Sequence, residues 1–321
     1  MGTRILLICI FISQTCSAQT GIGGSILGYV FDPLNGVQPI LGIPGAATIG
    51  PPLELQTEVI GITTSSQPNY ILAKTAPDSN FVKINLDTPP SVRPLGVPIT
   101  PGALMTVSAT GSAMVTYDAD RNRLFLFTGL PDSAAFAGEF DLSNVSERPT
   151  SLAVNDSGEI VLVSFSQSVV AFSADGSIAT LDGPRRGTAM KFLSRSRDAV
   201  IADGSTNTFY LIRDLPRATE TKILADTIEE PIAVAVSNDN KQVFAASARS
   251  GDVTAVELST GNTSVVSCFC KPSTLASLNG NAIFRLTEPS GNPLWVFDGD
   301  GPERRIVFVP PYRRSTEEPV Q

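Results

Sequence analysis

Hydrophobic and polar residues follow one another along the chain in a short repeating unit. The unit is an apolar run, a polar turn and a second apolar run. It is clearest in three segments: MTVSATGSAMVTYD from Met105, LAVNDSGEIVLVSF from Leu152 and VAVSNDNKQVFAAS from Val234. Short apolar runs bounded by Gly, Asn, Asp and Ser are typical of β-strands joined by tight turns. We therefore predict an all-β protein, and the 26 glycines and 24 prolines agree with many short strands.

Weaker copies of the unit extend the repeat over most of the chain. They are GITTSSQPNYILAKT from Gly61, KFLSRSRDAVIADGS from Lys191 and LASLNGNAIFRLTEP from Leu275. Equivalent positions recur roughly every 40 residues, which is the length of a β-propeller blade of four antiparallel strands. These positions are Ile62, Val107, Val154, Phe192, Val236 and Ala276. The rest of each unit supplies a third and a fourth strand, as in SVVAFSADGSIATL, where Asp175 and Gly176 predict the turn.

The two ends of the repeat region resemble each other. ILGYVFDPLNGVQPILGIPG (Ile26–Gly45) and PLWVFDGDGPERRIVFVPP (Pro293–Pro311) each contain an apolar run ending in Phe-Asp, a turn and a second apolar run. Complete units occupy the chain from about Leu55 to Pro311, so the first segment supplies only the outer hairpin of one more blade. We predict a β-propeller of about six complete four-stranded blades plus an N-terminal hairpin or reduced seventh blade, spanning residues 19–311. The extra strands would cover strand edges where the chain ends meet.

The third strand of a unit ends in Asp and a polar turn that leads into the fourth strand. In this the sequence resembles the YVTN, or lactonase-like, class of β-propeller repeats. The stretch CFCKPSTLASLNGNAIFRLTEPSGNPLWVFD (Cys268–Asp298), together with GYVFDPLNGVQPILGIPG, also resembles uncharacterised secreted propellers of acidobacterial type. The first resemblance implies a lactonase-like or lyase-like activity, which commonly needs His or metal-binding acidic residues in the central funnel. The second implies a family without implying a reaction.

The first 18 residues have the pattern of a secretory signal peptide. Arg4 precedes the apolar run Ile5–Ile12, and small residues stand at Cys16 and Ala18, after which we predict cleavage. The apolar run is too short to span a bilayer, so a membrane anchor is a less favoured alternative, as is lipidation at Cys16. We predict a secreted or periplasmic protein without a membrane span, and a disordered polar tail over residues 312–321.

Charge and composition exclude several classes of function. The formal net charge is −8, which does not suit nucleic acid or anionic lipid as a partner. The chain contains no histidine, so it cannot form a Ser-His-Asp or Cys-His pair or a His-ligated metal site. We also find no Gly-x-Ser-x-Gly elbow, phosphate-binding loop or Cys-x-x-Cys motif. We therefore assign no catalytic residue and expect no cofactor.

A metal site built from oxygen ligands is conceivable at one place in the sequence, and the candidate is weak. In FDGDGPE, the carboxylates of Asp298, Asp300 and Glu303 surround two glycines, as in part of a calcium loop. A hairpin turn explains the same residues better, because Gly supplies positive φ and Asp side chains bond nearby amides. The matching residues of the N-terminal segment, Asp32–Gly36, include no second carboxylate. No metal site is therefore claimed.

Two further motifs leave alternatives open. Cys268 and Cys270 are predicted on one face of a strand as small core residues, with a Cys-x-Cys disulfide and a soft-metal or redox site as alternatives. Three arginine pairs fit a solvated surface better than a site for an anionic partner. They are Arg185–Arg186, Arg304–Arg305 and Arg313–Arg314.

A secreted binding or scaffold protein fits these features best, because a closed ring of blades holds adaptable loops on a rigid frame. We expect a monomer that recognises an unknown protein or glycan through blade loops or the funnel. The alternative is a His-independent, metal-assisted lactonase-like or lyase-like enzyme. Asp and Glu from several blades on the first strands would favour that enzyme. A subunit of a quinone- or haem-dependent dehydrogenase, whose cofactor sits on a partner chain, is a third and less favoured possibility.

Overall fold

The computed structural model describes residues 25–65, 70–78, 80–97, 104–289, 292–301 and 303–312. These residues form β-strands, turns and loops in seven antiparallel sheets, the blades of a β-propeller. The first blade has three strands, β1 (Ile26–Asp32), β2 (Gly36–Leu41) and β3 (Thr48–Ile49).

The other six blades have four strands each, paired in chain order. Their strands are β4 (Val59–Thr63), β5 (Tyr70–Thr75), β6 (Phe81–Asn85) and β7 (Ser91–Pro94); β8 (Leu104–Val107), β9 (Ala113–Asp118), β10 (Arg123–Thr128) and β11 (Ala135–Asp141); β12 (Ser151–Val154), β13 (Ile160–Ser164), β14 (Val169–Ser173) and β15 (Ile178–Thr180); β16 (Gly187–Phe192), β17 (Ala199–Asp203), β18 (Thr208–Arg213) and β19 (Glu220–Ala225); β20 (Pro231–Val236), β21 (Gln242–Ser247), β22 (Asp252–Glu257) and β23 (Thr263–Ser267); β24 (Ala276–Ser277), β25 (Ile283–Arg285), β26 (Leu294–Asp298) and β27 (Arg305–Val309).

The first strands of the blades lie at the centre of the ring. Strands β8, β12, β16 and β20 contact one another from blade to blade. The repeat positions from Ile62 to Ala276 all fall on first strands. The predicted blade repeat is therefore confirmed.

The core lies between blades, because second strands such as β9, β13 and β17 bury both of their faces. All five residues of β13 are buried. Successive side chains of a strand point to opposite faces. Accordingly, Ile160 and Leu162 pack against β16 and β17 of the next blade, whereas Val161 and Val163 pack against β9 and β10 of the preceding blade. Continuous apolar runs rather than alternating ones therefore define the second strands.

The first three strands form a reduced seventh blade. This is one of the two arrangements predicted from the sequence, the other being an added hairpin. The position of Ile26–Gly45 in the sheet differs from the prediction, which made this segment an outer hairpin. The Leu27 carbonyl at the start of β1 accepts the Asn279 amide at 2.7 Å, in the turn that follows inner strand β24. Gly45, between β2 and β3, lies against Arg305 and Val307 of outer strand β27. The strand β1 therefore starts on the side of the ring where β24 ends and runs in the direction of the second strands. The strand β3 is the outer strand, and the described residues supply no innermost strand for this blade.

Apolar contacts join this blade to the last one. Val30 and Ile40 are fully buried in a cluster that includes Leu278, Leu294 and Val309. The two ends of the described chain therefore meet in one packed interface, which closes the ring.

Some predicted segments lie at or beyond the ends of the described residues. Tyr312 packs against the cluster that closes the ring, although it was predicted as the first residue of the tail. Residues 1–18, the predicted signal peptide, and residues 313–321 are outside the described part. Within that part, no helix is long and apolar enough to cross a bilayer.

Candidate functional site

Polar turns follow the inner strands, and their side chains accept hydrogen bonds from backbone amides of the same turn. Asn155 Oδ1 accepts the amides of Glu159 and Ile160, at 2.9 and 3.0 Å. Ser237 Oγ accepts the Gln242 amide at 2.9 Å. Asn and Ser side chains commonly stabilise turns in this way. These turns all emerge on one side of the ring, here called the inner-turn face, because the inner strands that precede them run in the same direction.

Asp156 connects the turns of three neighbouring blades. Its Oδ1 accepts the amide of Thr110 at 2.8 Å and the hydroxyl of Thr110 at 2.7 Å. Its Oδ2 accepts the Arg195 amide at 2.6 Å. Burial disfavours the charged carboxylate, but the hydrogen bonds from Thr110 and Arg195 outweigh burial and hold the pKa of Asp156 below its usual value. Asp156 is therefore an ionised structural link between the turns after β8, β12 and β16.

Side-chain amides continue this linkage around the face. Asn240 accepts the Ser194 amide at 2.9 Å and donates to the Ser194 carbonyl at 2.8 Å. Asn281 Oδ1 accepts the Asp239 amide at 3.0 Å. The turn after β24 then bonds to Leu27 of β1. The inner-turn face is thus held by hydrogen bonds that pass from blade to blade.

A cavity of about 800 Å³ opens on this face. It is lined by the turns after β8, β12 and β16, by the β10–β11 turn, and by Tyr70 and Lys83 of the preceding blade. Apart from Leu130 and Pro131, its lining residues carry hydroxyl, amide or charged groups. The volume falls in the range of about 300–1,000 Å³ that is usual for ligand pockets. This cavity, which spans four consecutive blades, is the candidate site.

Tyr70 ties the wall of the cavity to the next blade. Its hydroxyl donates to the Gly111 carbonyl at 2.6 Å. Gly111 has a φ of 79°, and a Cβ there would collide with the Tyr70 hydroxyl, so this position requires glycine. Burial raises the pKa of Tyr70. The phenol therefore remains a protonated donor at neutral pH.

Three cations and two carboxylates line the cavity. Lys83 Nζ lies 2.7 Å from Asp132 Oδ1, and the Lys83 side chain is only 14% exposed, against 83% for that of Asp132. Arg195 and Arg197 are exposed on the turn after β16. Since Asp156 is the second carboxylate, the lining has an excess of one positive charge, in a chain whose formal net charge is −8.

Lys191 is the only ionisable residue on the inner strands β4, β8, β12, β16, β20 and β24. It is half-buried. Burial lowers the pKa of its ammonium, and the charge of Asp156 partly opposes this shift. None of these strands carries Asp or Glu. The convergence of acidic residues that would favour an enzyme is therefore missing from them.

The weak calcium candidates are engaged in other contacts. Asp298 Oδ2 forms an ion pair with Arg305 at 3.0 Å. Asp300 accepts the amides of Asn281 and Ala282, at 2.9 and 2.6 Å, and Glu303 is exposed. Nowhere in the described ranges do three or more acidic, Cys or His side chains form a group suited to a metal ion. Within the turn itself, Asp298 Oδ1 accepts the Asp300 amide at 3.4 Å, whereas the contacts of Asp300 reach the turn between β24 and β25.

Cys268 and Cys270 form a disulfide bond. Both lie just after β23 rather than on a strand, and both pack at the edge of the apolar cluster around Phe244 and Phe297. Of the three alternatives left open by the sequence, the structure has the Cys-x-Cys disulfide. Phe269, between them, is 99% exposed.

The described arginine pairs do not form a common site. Arg186 Nη2 donates to the Gly204 carbonyl at 3.2 Å, and Arg304 Nη1 donates to Ser264 Oγ at 2.6 Å. Arg305 pairs with Asp298. Arg313 and Arg314 lie outside the described residues.

The cavity residues were not among the sequence-based candidates. The repeat could have indicated most of them. The polar turns SATGS, NDSGE and SRSRD occupy equivalent places after three successive inner strands. Adjacent blades bring equivalent turns together, so the polar residues of these turns had to meet on one face. The contribution of Tyr70 and Lys83 has no such signal.

Fold and cavity together define the class of this protein as a seven-bladed β-propeller with a polar cavity on one face. No protein-family model matches the sequence. No curated protein matches it either.

Solved structures are similar in fold. One is a functionally unknown protein from Desulfotomaculum acetoxidans DSM 771, with a TM-score of 0.60 and 15% identity over 90% of this chain and 100% of the other. The RRP9 WD40 repeats give 0.58 and 16% identity, over 80% and 82% of the two chains. A streptogramin B lyase structure gives 0.57 and 14%, over 86% and 87%. At these identities the likeness shows the propeller fold alone.

Proposed function

We propose that this protein is a secreted or periplasmic binding module that recognises a glycan through the cavity on the inner-turn face. The observation that carries the proposal is the cavity itself, a polar space of about 800 Å³ on a rigid ring. Functional residues of repeat folds commonly lie on the loops that the frame positions.

The chemistry of the lining favours a sugar over an apolar small molecule. Pockets for drug-like ligands are predominantly hydrophobic, whereas this one is bordered by Thr, Ser, Asn, Asp, Lys and Arg side chains. Sugar hydroxyls act as both donors and acceptors, so they suit such a mixture. Hydrogen bonds between the turns hold these groups in place, which lowers the entropy lost when a ligand binds.

The enzyme alternative receives less support. The chain has no histidine, and the inner strands supply a single amine, Lys191, in place of converging carboxylates. The similarity to streptogramin B lyase is confined to the fold at 14% identity. A metal-assisted lactonase-like or lyase-like reaction therefore remains the second candidate.

Family and location are part of the same proposal. Blades of roughly 40 residues and the likeness to a lyase propeller support membership of the YVTN, or lactonase-like, class. The Cys268–Cys270 disulfide supports an oxidising compartment, since such bonds are rare in cytosolic proteins.

A glycan-array measurement tests the proposal. The chain without residues 1–18 is compared with Ser157→Trp, which places a large side chain in the cavity at an exposed turn position. Ser143→Trp is the matched control, because Ser143 is exposed on the connection between β11 and β12, on the opposite face. We expect the wild type and Ser143→Trp to bind the same oligosaccharides, and Ser157→Trp to lose them. Absence of any glycan binding by the wild type, or equal binding by Ser157→Trp, would refute the proposed function.

A further inference from the structure

We propose that the glycan recognised by the cavity is acidic, and that Arg195 and Arg197 bind its uronate carboxylate. This inference rests on the proposed function and names the ligand class of the same site. It follows from counting which polar groups of the lining are already used within the protein.

The acceptors of the lining are largely occupied. Both carboxylate oxygens of Asp156 accept from Thr110 or Arg195. Asn155 Oδ1 accepts two amides of its own turn. Ser196 Oγ accepts the Asp198 amide at 3.0 Å. Asp132 is paired through Oδ1 with Lys83. The acceptors next to Arg195, on Asp156 and Ser196, are therefore taken, and Asp132 Oδ2 and the hydroxyl groups are what the lining still offers as acceptors.

Many of the donors, by contrast, remain available. Arg197 uses Nε to bond the Leu215 carbonyl at 2.8 Å. That bond anchors the guanidinium group and leaves Nη1 and Nη2 without a hydrogen bond to any described residue. The Arg195 side chain likewise has no hydrogen bond or ion pair within the described residues. The Lys83 ammonium has three N–H donors, of which the Asp132 contact uses one.

The backbone holds the two guanidinium groups on the same turn. Asp156 fixes the Arg195 amide at 2.6 Å, and Arg195 adopts a φ of 52°. Residues 195 and 197 both line the cavity. Such a turn carries more donors than acceptors and more positive than negative charge.

A ligand that complements this site must be rich in acceptors and negatively charged. Guanidinium groups bind carboxylates through two parallel N–H···O bonds, and charge makes these bonds stronger than neutral ones. A uronic acid supplies the carboxylate and keeps the hydroxyl groups that the rest of the lining suits. The charge of Asp175 acts on Arg197, although the two residues form no ion pair. A neutral sugar would offer neither guanidinium group a carboxylate to bind.

Titration calorimetry with uronate oligosaccharides and their methyl esters tests this inference. Trimers of galacturonate and of mannuronate are the acidic probes, and their methyl esters keep the sugar shape without the charge. We expect each ester to bind at least roughly tenfold more weakly than the acid it derives from. The double variant Arg195→Gln/Arg197→Gln should weaken acid binding by a similar factor and leave ester binding unchanged.

The double variant Arg185→Gln/Arg186→Gln is the matched control. It removes the same charge from an exposed segment on the opposite face, and we expect it to bind the acids as the wild type does. If esters and acids bind equally, or if neutral glycans bind and neither acid does, the acidic-ligand inference is wrong while the glycan proposal stands. Absence of all glycan binding refutes the proposed function itself. Should Arg195→Gln/Arg197→Gln not fold, the comparison of acid and ester on the wild type decides alone.

Discussion

At the scale of single residues, Asp156 carries the largest share of the linkage between inner turns. One carboxylate accepts three hydrogen bonds from two other blades. Nothing in NDSGE distinguishes this aspartate from an ordinary turn residue, because its partners lie roughly one blade away along the sequence on either side. The local turn was predictable, whereas the contacts between turns depend on how the ring packs.

Replacing Asp156 by alanine should destabilise the protein by about 2–4 kcal/mol at pH 7, because hydrogen bonds to a charged acceptor are lost and three donors lose their partner. Urea unfolding of the wild type and Asp156→Ala measures the difference. Asp175→Ala is the control, since the hydrogen bonds of Asp175 go to Ser173 and Ser177 of its own turn. That variant should stay within about 0.5 kcal/mol of the wild type.

The difference between wild type and Asp156→Ala should depend on pH. The pKa of Asp156 is lower in the folded protein than in the unfolded chain, so its contribution is fully present above the unfolded value of about 3.9. It is lost as the pH falls through the depressed folded value. A difference in stability that grows on acidification below pH 4 would contradict this assignment.

At the scale of elements, repeat and pattern were sufficient to predict the inner strands. Apolar runs at positions such as Val154 and Val236 form strands because burying apolar side chains between two blades stabilises the folded state. The pattern could not place β1, because an apolar hairpin looks the same whichever two neighbouring strands of a blade it forms. Its place follows from contacts with the last blade, about 250 residues away.

The reduced first blade should be essential for stability. Ile40 is fully buried in the interface that closes the ring, so Ile40→Ala should cost about 2–5 kcal/mol. Ile43→Ala is the matched control, because Ile43 is 62% exposed a few residues further along, and it should change stability by less than about 0.5 kcal/mol. Thermal and urea unfolding of both variants provide the comparison. Equal stability of Ile40→Ala and the wild type would show that this blade does not close the ring.

At the scale of the whole molecule, the ring explains why the site lies on one face. Inner strands run in one direction, so their polar turns collect together, and the blades fix the spacing of these turns. The fold class could be read from sequence because it depends on local periodicity. The cavity could not, because Tyr70, Thr110, Asp156 and Arg195 come from four blades and no spacing within a single blade reports their proximity.

Hydrogen exchange of the backbone, measured with and without a glycan that the array identifies, tests the location of the site most directly. We expect slower exchange on binding in residues 108–112, 155–158 and 193–198, which form the three turns around Asp156. Residues 143–149, on the opposite face, should exchange at the same rate in both states. Protection confined to residues 143–149 or to the outer strands, with the three turns unchanged, would show that the ligand does not bind in the inner-turn cavity.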